Sequence, residues 1–337
     1  MKPTNFSKHL TSFFSQYLPG ERGMSQHTIS SYRFTFILFL SFMDQKKNIS
    51  ASRLELVDIT KEIVVDFLNC LQVERKCSAA TRNVRLAAMH AFFHFLQYQQ
   101  PDRMAEWQRI LSIKAKKTKS PSVSYLSVDG IKLLLEQPDI STRKGRRDLA
   151  MLALMYDCAA RVQEIIDTTS SSIRLDSPYT IKIIGKGNKT RIVPMMEEGI
   201  AHIKRYMNEN SLLDIHLRSS PLFCNNRKEK LTRAGVTCIL KKYVAMAKAK
   251  NPVMIPDRLS CHSLRHSKAM HLLQAGVNLI YIRDFLGHQS VQTTEIYARA
   301  DSAQKREAIE KAYTDVVKKE IPAWIENHNL LQWLKGL

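Results

Sequence analysis

The sequence predicts a mainly α-helical protein, in which a helical N-terminal domain precedes a mixed α/β domain with a small antiparallel sheet. The length of 337 residues exceeds one ordinary domain of about 100 to 200 residues and therefore favours two. Apolar residues recur at helical spacing along most of the chain, whereas two short β-branched runs stand together in its second half. A content of 44% hydrophobic and 24% charged residues is typical of a globular chain and not of a disordered one.

The N-terminal domain is predicted to contain two long helices after a helical pattern that begins near residue 6. Ser25 is placed to cap the first, and Ser78 is placed to cap the second. In each helix the apolar side chains recur at gaps of three or four residues, as on the buried face of a helix. These side chains are Ile29, Tyr32, Phe36, Phe39 and Met43 in the first helix, and Val84, Ala88, Ala91 and Phe95 in the second.

A run of lysines separates the two predicted domains. Residues 113–125 have no apolar period, so we interpret them as an extended basic linker. The chain is thereby divided into residues 1–112, this linker, a second domain at residues 126–302 and a helical tail at residues 303–337. The linker lysines are Lys114, Lys116, Lys117 and Lys119.

The second domain opens with helical patterns at residues 126–135 and 148–156. The period then changes, because residues 180–184 and 191–193 are β-branched runs on either side of a glycine-containing turn at residues 185–189. This arrangement predicts a β-hairpin. Helical patterns are predicted to resume at Ala234 and to continue to the end of the chain.

The charge of the chain indicates a polyanionic partner. Lys and Arg number 51 against 31 Asp and Glu, a net charge of +20, which favours nucleic acid or an acidic membrane. The membrane is the weaker hypothesis, because the apolar stretch at residues 34–43 is about half the length of a spanning helix. We therefore expect double-stranded DNA as the partner, with Arg82, Arg85 and the linker lysines as candidate contacts. For each arginine, a solvated helix surface is the alternative.

The cysteines predict neither disulfides nor a metal site. No secretory segment is recognised, so we expect reduced thiols in a cytoplasmic protein. No two of the cysteines form a C-x-x-C pair, and Cys261 beside His262 has no second pair at ligand spacing, so a structural zinc is not expected. The cysteines are Cys70, Cys77, Cys158, Cys224, Cys238 and Cys261.

Polar residues suited to chemistry lie in four separated segments of the second domain, and each has an ordinary structural alternative. Arg161 and Glu164 could form a helix ion pair, and Lys186 in a glycine-rich turn could simply be solvated. The histidines could be satisfied, partly buried side chains, and the tyrosine could be a core residue with its hydroxyl paired. The third and fourth segments hold His262, Arg265, His266, His288 and Tyr297.

The order and spacing of these residues resemble the active site of the tyrosine recombinases, the family of phage integrases and Xer-type recombinases. The resemblance covers almost the whole chain. The segment Ile184-Gly-Lys-Gly-Asn-Lys-Thr-Arg-Ile-Val-Pro194 is similar to the catalytic hairpin of that family. Leu286-Gly-His-x-Ser290, with Tyr297 nine residues after His288, is similar to its nucleophile segment. The two serine-capped helices resemble its SAM-like core-binding domain.

The resemblance implies a metal-free and cofactor-free transfer of DNA strands. Tyr297 would attack a phosphodiester and form a covalent 3′-phosphotyrosine, which another DNA 5′-hydroxyl can reverse. Because a phenol of pKa about 10 is a poor nucleophile at neutral pH, cations must favour the phenolate and the charged transition state. Arg161 and Arg265 have that implied role, since guanidinium groups match paired phosphate oxygens.

The remaining residues take implied roles in proton transfer and positioning. Lys186 would protonate the leaving 5′ oxygen, and His262 would act as general base or acid toward Tyr297. His288 would donate a hydrogen bond to the scissile phosphate. Glu164 would orient Arg161 or His262, with a structural role as the alternative.

One position departs from the pattern of the family. The family usually has a glycine two residues before the first arginine, whereas this chain has Ala159 there. The additional methyl group is expected to bear on the end of the helix that carries Arg161.

The end of the chain predicts an exchange between protomers. One amphipathic helix is expected over residues 308–316, and the short apolar segment that follows Pro322 is too small to bury itself alone. Because the family commonly exchanges such a segment, residues 323–337 are expected to dock on a neighbouring protomer of a DNA-bound tetramer. Docking on their own protomer is the alternative.

The function implied is that of a site-specific DNA recombinase of the integrase or transposase type. Sister recombinases are further partners to consider, and a bacterial cytoplasm with association to the nucleoid is the expected location. Two alternatives stay open at this point: a type IB topoisomerase that relaxes DNA by similar chemistry, and a DNA-binding accessory protein without catalysis.

Overall fold

A computed structural model describes residues 3–118, 123–300 and 330–335 of the chain. The chain divides into two compact units, Met1–Pro121 and Ser122–Leu337. Among the described helices, none combines the length and the apolar character that a membrane crossing requires.

Helices are the regular secondary structure in the described residues of the first unit. The side-chain oxygens of Ser25 and Ser78 accept from the backbone N–H groups of Thr28 at 3.3 Å and Thr81 at 3.2 Å, so both predicted helix caps are confirmed. A π-helical stretch, Phe13–Glu21, follows the first helix directly. The α-helices are α1 Asn5–Ser12, α2 Gln26–Lys47, α3 Lys61–Val73, α4 Ala79–Gln99 and α5 Met104–Leu111.

Aromatic side chains fill the core of the first unit. Phe92 contacts Phe13 and Phe36 edge to face, with ring centroids 5.2 Å and 5.1 Å apart. Trp107 packs on Phe93 with a centroid distance of 5.4 Å, and its Nε1 donates to the carbonyl of Gln100. Each such side chain stabilises the unit by roughly 1.5–3 kcal/mol on burial. The core therefore joins the π-helical stretch, α2, α4 and α5 through large rigid rings.

The second unit is mainly helical and contains one three-stranded antiparallel sheet. The strands are β1 Ile173–Arg174, β2 Thr180–Ile184 and β3 Thr190–Pro194, in the order β1-β2-β3. The helices are α6 Val128–Leu135, α7 Arg143–Asp157, α8 Val162–Asp167, α9 Glu197–Glu209, α10 Arg233–Lys250, α11 Cys261–Gln274, α12 Leu279–Leu286, α13 Glu295–Ala300 and α14 Leu330–Lys335.

The predicted fold class and the predicted hairpin are confirmed. In the pairing of β2 with β3, Ile184 lies opposite Thr190, which leaves the turn over residues 185–189 as expected. Ile181 and Ile183 are buried whereas Lys182 and Ile184 are exposed, so the alternation of β2 covers one face of the sheet. The strand β1 is too short to give a sequence signal.

Helices α8 and α9 of the second unit were missed, because the sequence analysis expected helical patterns to resume only at Ala234. Helix α9 precedes that residue and buries one face of the chain. Its buried side chains are Ile200, Ile203, Tyr206 and Met207, which have helical spacing. The signal was therefore present in the sequence.

Helix α7 forms the centre of the second unit. Its residues Ala150, Met151 and Leu152 are fully buried, and α9 and α11 pack against it. A buried carboxylate near its start, Asp148, accepts from Arg147 at 2.6 Å and from the Tyr243 hydroxyl of α10 at 2.9 Å. These contacts fix the position of α7, which ends beside the candidate site.

Candidate active site

Arg161 stands at the start of α8 and is held there by a carboxylate. Glu164 accepts from the Arg161 backbone N–H at 2.8 Å and from Arg161 Nη1 at 2.7 Å. The same carboxylate accepts from Arg191 of β3 through Nη1 at 3.0 Å and Nη2 at 2.7 Å. Burial alone would raise the pKa of Glu164, but the hydrogen bonds and charges of Arg191 and Arg161 outweigh it and the pKa is lowered. Glu164 is therefore an ionised bridge between two arginines.

Arg265 lies on α11 and is buried, with 3% of its surface exposed. Its Nη1 donates to the carbonyl of Ala159 at 2.8 Å, and its Nη2 donates to the carbonyl of Leu286 at 2.8 Å. Burial, together with the charge of Arg161, lowers its pKa to about 10, so the guanidinium still carries its charge at neutral pH. The two carbonyl groups thus hold a buried cation in one orientation.

Ala159 adopts a left-handed backbone with φ 46°, a conformation that favours glycine. The turn lies just after α7 and aims the Ala159 carbonyl at Arg265. Arg161, two residues later, still precedes α8 and pairs with Glu164. Alanine in place of the glycine usual in the family therefore adds backbone strain at residue 159. The guanidinium of Arg161 still pairs with Glu164.

Gly287 ends α12 in a left-handed conformation with φ 66°. A methyl group at this position would lie 3.2 Å from Arg191 Cδ and 3.3 Å from Arg191 Nη1, so the close approach of β3 also requires glycine. The turn places His288, whose Nδ1 lies 2.9 Å from the buried hydroxyl of Thr294. Burial, and then the charges of Arg265 and Arg161, lower the pKa of His288 to about 4, so its ring is neutral.

Tyr297 lies on α13 and is 1% exposed. Its ring belongs to an apolar cluster with Ala159, Met270 and Leu286. Its hydroxyl lies 2.9 Å from Nδ1 of His266 on α11. Burial raises the pKa of Tyr297, against the opposing charges of Arg265 and Arg161.

The imidazole within hydrogen-bond distance of the Tyr297 hydroxyl is that of His266. The role of His262 as general base or acid toward Tyr297 stays a prediction. His262 is exposed one turn earlier on α11, and its ring centroid is 6.4 Å from that of His266. Partial desolvation and the charges of Arg265 and Arg161 lower the pKa of His262. Helix α13 approaches α11 at His266, a contact that the spacing of His262 from Arg265 does not show.

A cleft of about 500 Å³ lies between the start of α8, the hairpin and the end of α12. Lys186 begins the short turn Lys186–Asn188 at the tip of that hairpin. The cleft walls bring together the cationic side chains of Arg161, Lys189 and Arg191 and the neutral ring of His288, which suits a phosphate. The lining residues are Arg161, Gly185, Lys189, Thr190, Arg191, Asp284, Gly287, His288, Gln289 and Thr293.

The candidate DNA contacts of the first unit differ in burial and in hydrogen-bond partners. Arg82 is 4% exposed, and its Nη1 donates to Asn83 at 3.4 Å. Arg85 donates to the carbonyl of Ser31 at 3.1 Å, and its guanidinium lies 5.0 Å from the Phe34 ring centroid. Lys114, Lys116 and Lys117 are exposed, whereas Lys119 lies outside the described residues.

Within residues 3–118, 123–300 and 330–335, no group of three or more metal-ligating side chains comes together. The six cysteines are free thiols. Burial raises the pKa of the Cys158 and Cys261 thiols, which places them among structural rather than reactive cysteines.

The sequence analysis assigned no role to three residues of the site. They are His266, which follows Arg265 directly, Arg191, which lies on β3, and Thr294, which precedes Tyr297 by three residues. Arg191 stands inside the hairpin segment that carried the resemblance, so its position was a usable signal. The contacts of His266 and Thr294 depend on the turn at Gly287, which adjacency in sequence does not reveal.

Comparisons with known proteins show the family to which the chain belongs. The sequence profile of the "Phage integrase family" matches residues 124–304, and that of the "Phage integrase, N-terminal SAM-like domain" matches residues 12–100. The chain is 35% identical over 336 residues to the putative integrase/recombinase y4rC of Sinorhizobium fredii. The aligned region spans 100% of this chain and 99% of the relative. It is 31% identical to the tyrosine recombinase XerD of Listeria monocytogenes, over 84% of this chain and 91% of the relative.

Solved structures share the fold. The XerH site-specific recombinase in its post-cleavage complex with palindromic difH superposes with a TM-score of 0.68 at 23% identity, over 86% of this chain and 81% of that chain. A lambda integrase fragment, in a dimer bound to a COC′ core site, gives a TM-score of 0.63 at 16% identity, over 93% and 99%. The chain belongs to the phage integrase family. Its enzyme class is that of the tyrosine-type site-specific DNA recombinases.

Proposed function

We propose that this recombinase breaks and rejoins DNA through a covalent 3′-phosphotyrosine on Tyr297. The observation that carries the proposal is the placement of Tyr297 in one unit with Arg161 and Arg265, whose charges both favour its phenolate. The tyrosine hydroxyl also lies 2.9 Å from Nδ1 of His266, within hydrogen-bond reach. A nucleophile, cations and a nearby imidazole are components suited to attack on a phosphodiester.

In the proposed reaction the Tyr297 oxygen forms a bond to phosphorus while the bond from phosphorus to the 5′ oxygen breaks. Lys186, at the hairpin tip, gives a proton to that leaving oxygen. The 3′-phosphotyrosine retains the energy of the broken bond, since a phenolate is a modest leaving group. Attack by the 5′-hydroxyl of a partner strand then reverses the step and exchanges the strands.

The two guanidinium groups stabilise the charge that develops on the non-bridging oxygens. Arg265 uses one N–H on each of two carbonyl groups, and its remaining N–H groups are available to phosphate oxygens. Arg161 keeps one edge on Glu164 and is 31% exposed beside the cleft. Because both arginines are oriented before DNA arrives, little reorganisation is needed in the transition state.

His288 and Glu164 support this phosphate site. With Thr294 donating its hydroxyl proton to Nδ1, the neutral ring of His288 carries its own proton on Nε2 and donates it to the scissile phosphate. Glu164 orients Arg161, as proposed from the sequence, and also holds Arg191. No contact of Glu164 with His262 is needed for this role.

The partner in the proposal is double-stranded DNA, bound by a chain with a net charge of +20. Lys114, Lys116 and Lys117 are exposed for phosphate contacts, and Arg82, Arg85 and Lys119 complete the proposed set. On synapsed DNA the chain acts as a homotetramer, with sister recombinases as additional partners. Transposition or integration of a mobile element is the proposed role, and the bacterial cytoplasm with association to the nucleoid is the proposed location.

The boundaries proposed for the parts of the chain remain residues 1–112, 113–125, 126–302 and 303–337. The tail is proposed to exchange between protomers. Of this tail, only α14 lies within the described residues, so the amphipathic helix expected over residues 308–316 falls outside them. Neither the family profiles nor the relatives reported above favour a topoisomerase or an accessory protein without catalysis.

The test is a cleavage assay on a nicked suicide duplex that carries a recombination site selected from genomic fragments. The wild-type protein is expected to become covalently attached to the DNA 3′ end, and Tyr297→Phe is expected to bind without attachment. Tyr281→Phe, which changes an exposed tyrosine on α12, is the matched control and is expected to attach normally. Attachment by the Tyr297→Phe protein would overturn the proposal.

A further inference from the structure

The carboxylate that holds Arg161 is shared with a second arginine, Arg191, which has no assigned role in the reaction. Oε1 of Glu164 accepts from Arg161 Nη1 at 2.7 Å and from Arg191 Nη1 at 3.0 Å. Oε2 accepts from the Arg161 backbone N–H at 2.8 Å and from Arg191 Nη2 at 2.7 Å. A carboxylate has about four lone-pair sites, so these contacts use its full accepting capacity.

The two arginines occupy different positions around this carboxylate. The side chain of Arg191 is 10% exposed, whereas that of Arg161 is 31% exposed. Both terminal nitrogens of Arg191 donate to Glu164, and its buried Nε has no hydrogen-bond partner among the residues that the structure describes. Within those residues, the Arg161 side chain donates to Glu164 through Nη1 alone. Arg191 is thus engaged with the carboxylate, whereas Arg161 keeps donors for a ligand in the cleft.

Two glycines leave the space in which Glu164 and Arg191 meet. A methyl group at Gly185 would lie 3.2 Å from Glu164 Oε1 and 3.6 Å from Arg191 Nη1. A methyl group at Gly287 would lie 3.2 Å from Arg191 Cδ. The backbones of the hairpin and of the end of α12 therefore close around the pair and hold the Arg191 side chain against the carboxylate.

The two guanidinium groups and the carboxylate together carry one net positive charge. Burial would raise the pKa of Glu164, but the hydrogen bond and charge of Arg191, followed by the contacts of Arg161, lower it, so the carboxylate is ionised. Without Arg191, the same anion would face Arg161 alone and the pair would be neutral. Because only 4% of the Glu164 side chain is exposed, water would screen this attraction little.

We propose that Arg191 is a positioning residue that compensates the charge of Glu164, so that the charge of Arg161 remains available to a DNA phosphate. Glu164 orients Arg161, yet a carboxylate on a guanidinium competes with phosphate for the same cation. Arg191 weakens that competition and leaves the orienting contact in place. Because Arg191 also lines the cleft, a direct contact with phosphate is the alternative. The inference rests on the proposed role of Arg161 in the reaction.

The experiment measures single-turnover cleavage of the suicide duplex, and DNA affinity, for wild type, Arg191→Gln and the double variant Arg191→Gln/Glu164→Gln. Arg191→Gln is expected to cleave about 10-fold to 10²-fold more slowly, less than for loss of a whole transition-state donor, with DNA affinity changed little. The double variant is expected to cleave about 10-fold faster than Arg191→Gln, because the introduced amide keeps one acceptor oxygen for Arg161 and carries no charge.

A purely structural role of Arg191 and a direct contact with phosphate both predict a different result. In either case Glu164→Gln adds a second defect, and the double variant cleaves no faster than Arg191→Gln, which would overturn the proposal. Arg191→Met fills similar space without a polar group and repeats the comparison with and without Glu164→Gln. Failure of one variant to fold therefore leaves the other to decide the outcome.

A second carboxylate shared by two arginines provides a matched control. Glu209 accepts from Arg146 Nε at 2.7 Å and from Arg205 Nε at 3.2 Å, and none of the three is among the described residues that line the cleft. Arg146→Gln, alone and with Glu209→Gln, is expected to cleave like wild type. Slower cleavage by Arg146→Gln that Glu209→Gln restores would show that the effect does not depend on the cleft, and would overturn the proposal.

The inference and the proposed function fail in different ways. Failure of the wild-type protein to attach to the DNA 3′ end would overturn the proposed function. Wild-type attachment without faster cleavage in the double variant would overturn this inference alone.

Discussion

Arg191 donates to both carboxylate oxygens of Glu164, at 3.0 Å and 2.7 Å, and thereby fastens β3 to α8. The strand belongs to the hairpin whose tip carries Lys186, and the helix begins just after Arg161. The Glu164 carboxylate thus links the hairpin, which carries the proposed general acid Lys186, to the start of α8, which carries the phosphate-binding Arg161. Because only 4% of the Glu164 side chain is exposed, water does not compete for these contacts.

Glu164→Gln is expected to lower the free energy of unfolding by about 3 kcal/mol, since it leaves two guanidinium groups without their buried counter-charge. The folded-state pKa of Glu164 is depressed, so its stabilisation is present above the unfolded pKa near 4.5 and is lost as pH falls through the folded value. Urea unfolding at pH 7 and at pH 3 measures this. An undiminished gap between the two proteins at pH 3 would contradict the assignment.

Ala159→Gly is expected to stabilise the protein by about 1 kcal/mol, because glycine adopts a left-handed φ without a clash of Cβ. Thermal unfolding should show a rise of a few degrees. The control is Ala269→Gly, at a buried position inside α11, where glycine should destabilise the helix. Destabilisation by both substitutions would mean that residue 159 is not strained.

Gly287→Ala is expected to reduce cleavage as well as stability, because its methyl group would meet Arg191 Cδ at 3.2 Å. Gly276→Ala is the matched control, since that glycine has φ 82° but no atom within 4 Å of the added carbon. Both variants carry backbone strain of about 1–2 kcal/mol, and only the first displaces Arg191. Equal cleavage by the two proteins, measured on the suicide duplex, would exclude a role for this close approach.

Arg265→Lys is expected to slow cleavage by about 10²-fold to 10³-fold while DNA binding changes little. An ammonium group lacks the planar fork that reaches the carbonyl groups of Ala159 and Leu286 while still facing a phosphate. Arg174→Lys, on the exposed residue of β1, is the control and should cleave normally. The measurement is the single-turnover cleavage rate at saturating protein. A wild-type rate for Arg265→Lys would contradict the prediction.

Deletion of residues 323–337 is expected to leave binding to a single site unchanged and to weaken synapsis, since the proposed exchange would be lost. Gel-shift titration measures the first property, and the yield of two-site complexes measures the second. Unchanged assembly of the truncated protein would indicate docking on its own protomer.

Local signals predicted a large part of the fold. Ser25 and Ser78 cap their helices because a side-chain oxygen satisfies a free N–H group within a few residues, which sequence shows directly. The hairpin followed from two β-branched runs and a glycine-containing turn. Helix α9 also had a local pattern and was overlooked, whereas the two residues of β1 are too few to form one.

The candidate site was predictable in its residue types and less so in its contacts. Arg161 and Glu164 are three residues apart, so their pairing could be anticipated. His266 and Tyr297 are 31 residues apart and meet only because α12 ends at the left-handed Gly287 and α13 returns to α11. A contact set by a chain reversal has no period in the sequence, so the spacing of residues could not predict that His266 meets Tyr297.

The acceptors that orient Arg265 are main-chain oxygens, at Ala159 and at Leu286. Every amino acid carries such an oxygen, so a substitution at either position keeps the hydrogen-bond acceptor of the Arg265 guanidinium. The requirement is that the backbone keeps its path at the ends of α7 and α12. Ala159 in a glycine-like conformation is an instance of that tolerance, since the substituent changed and the carbonyl stayed in place.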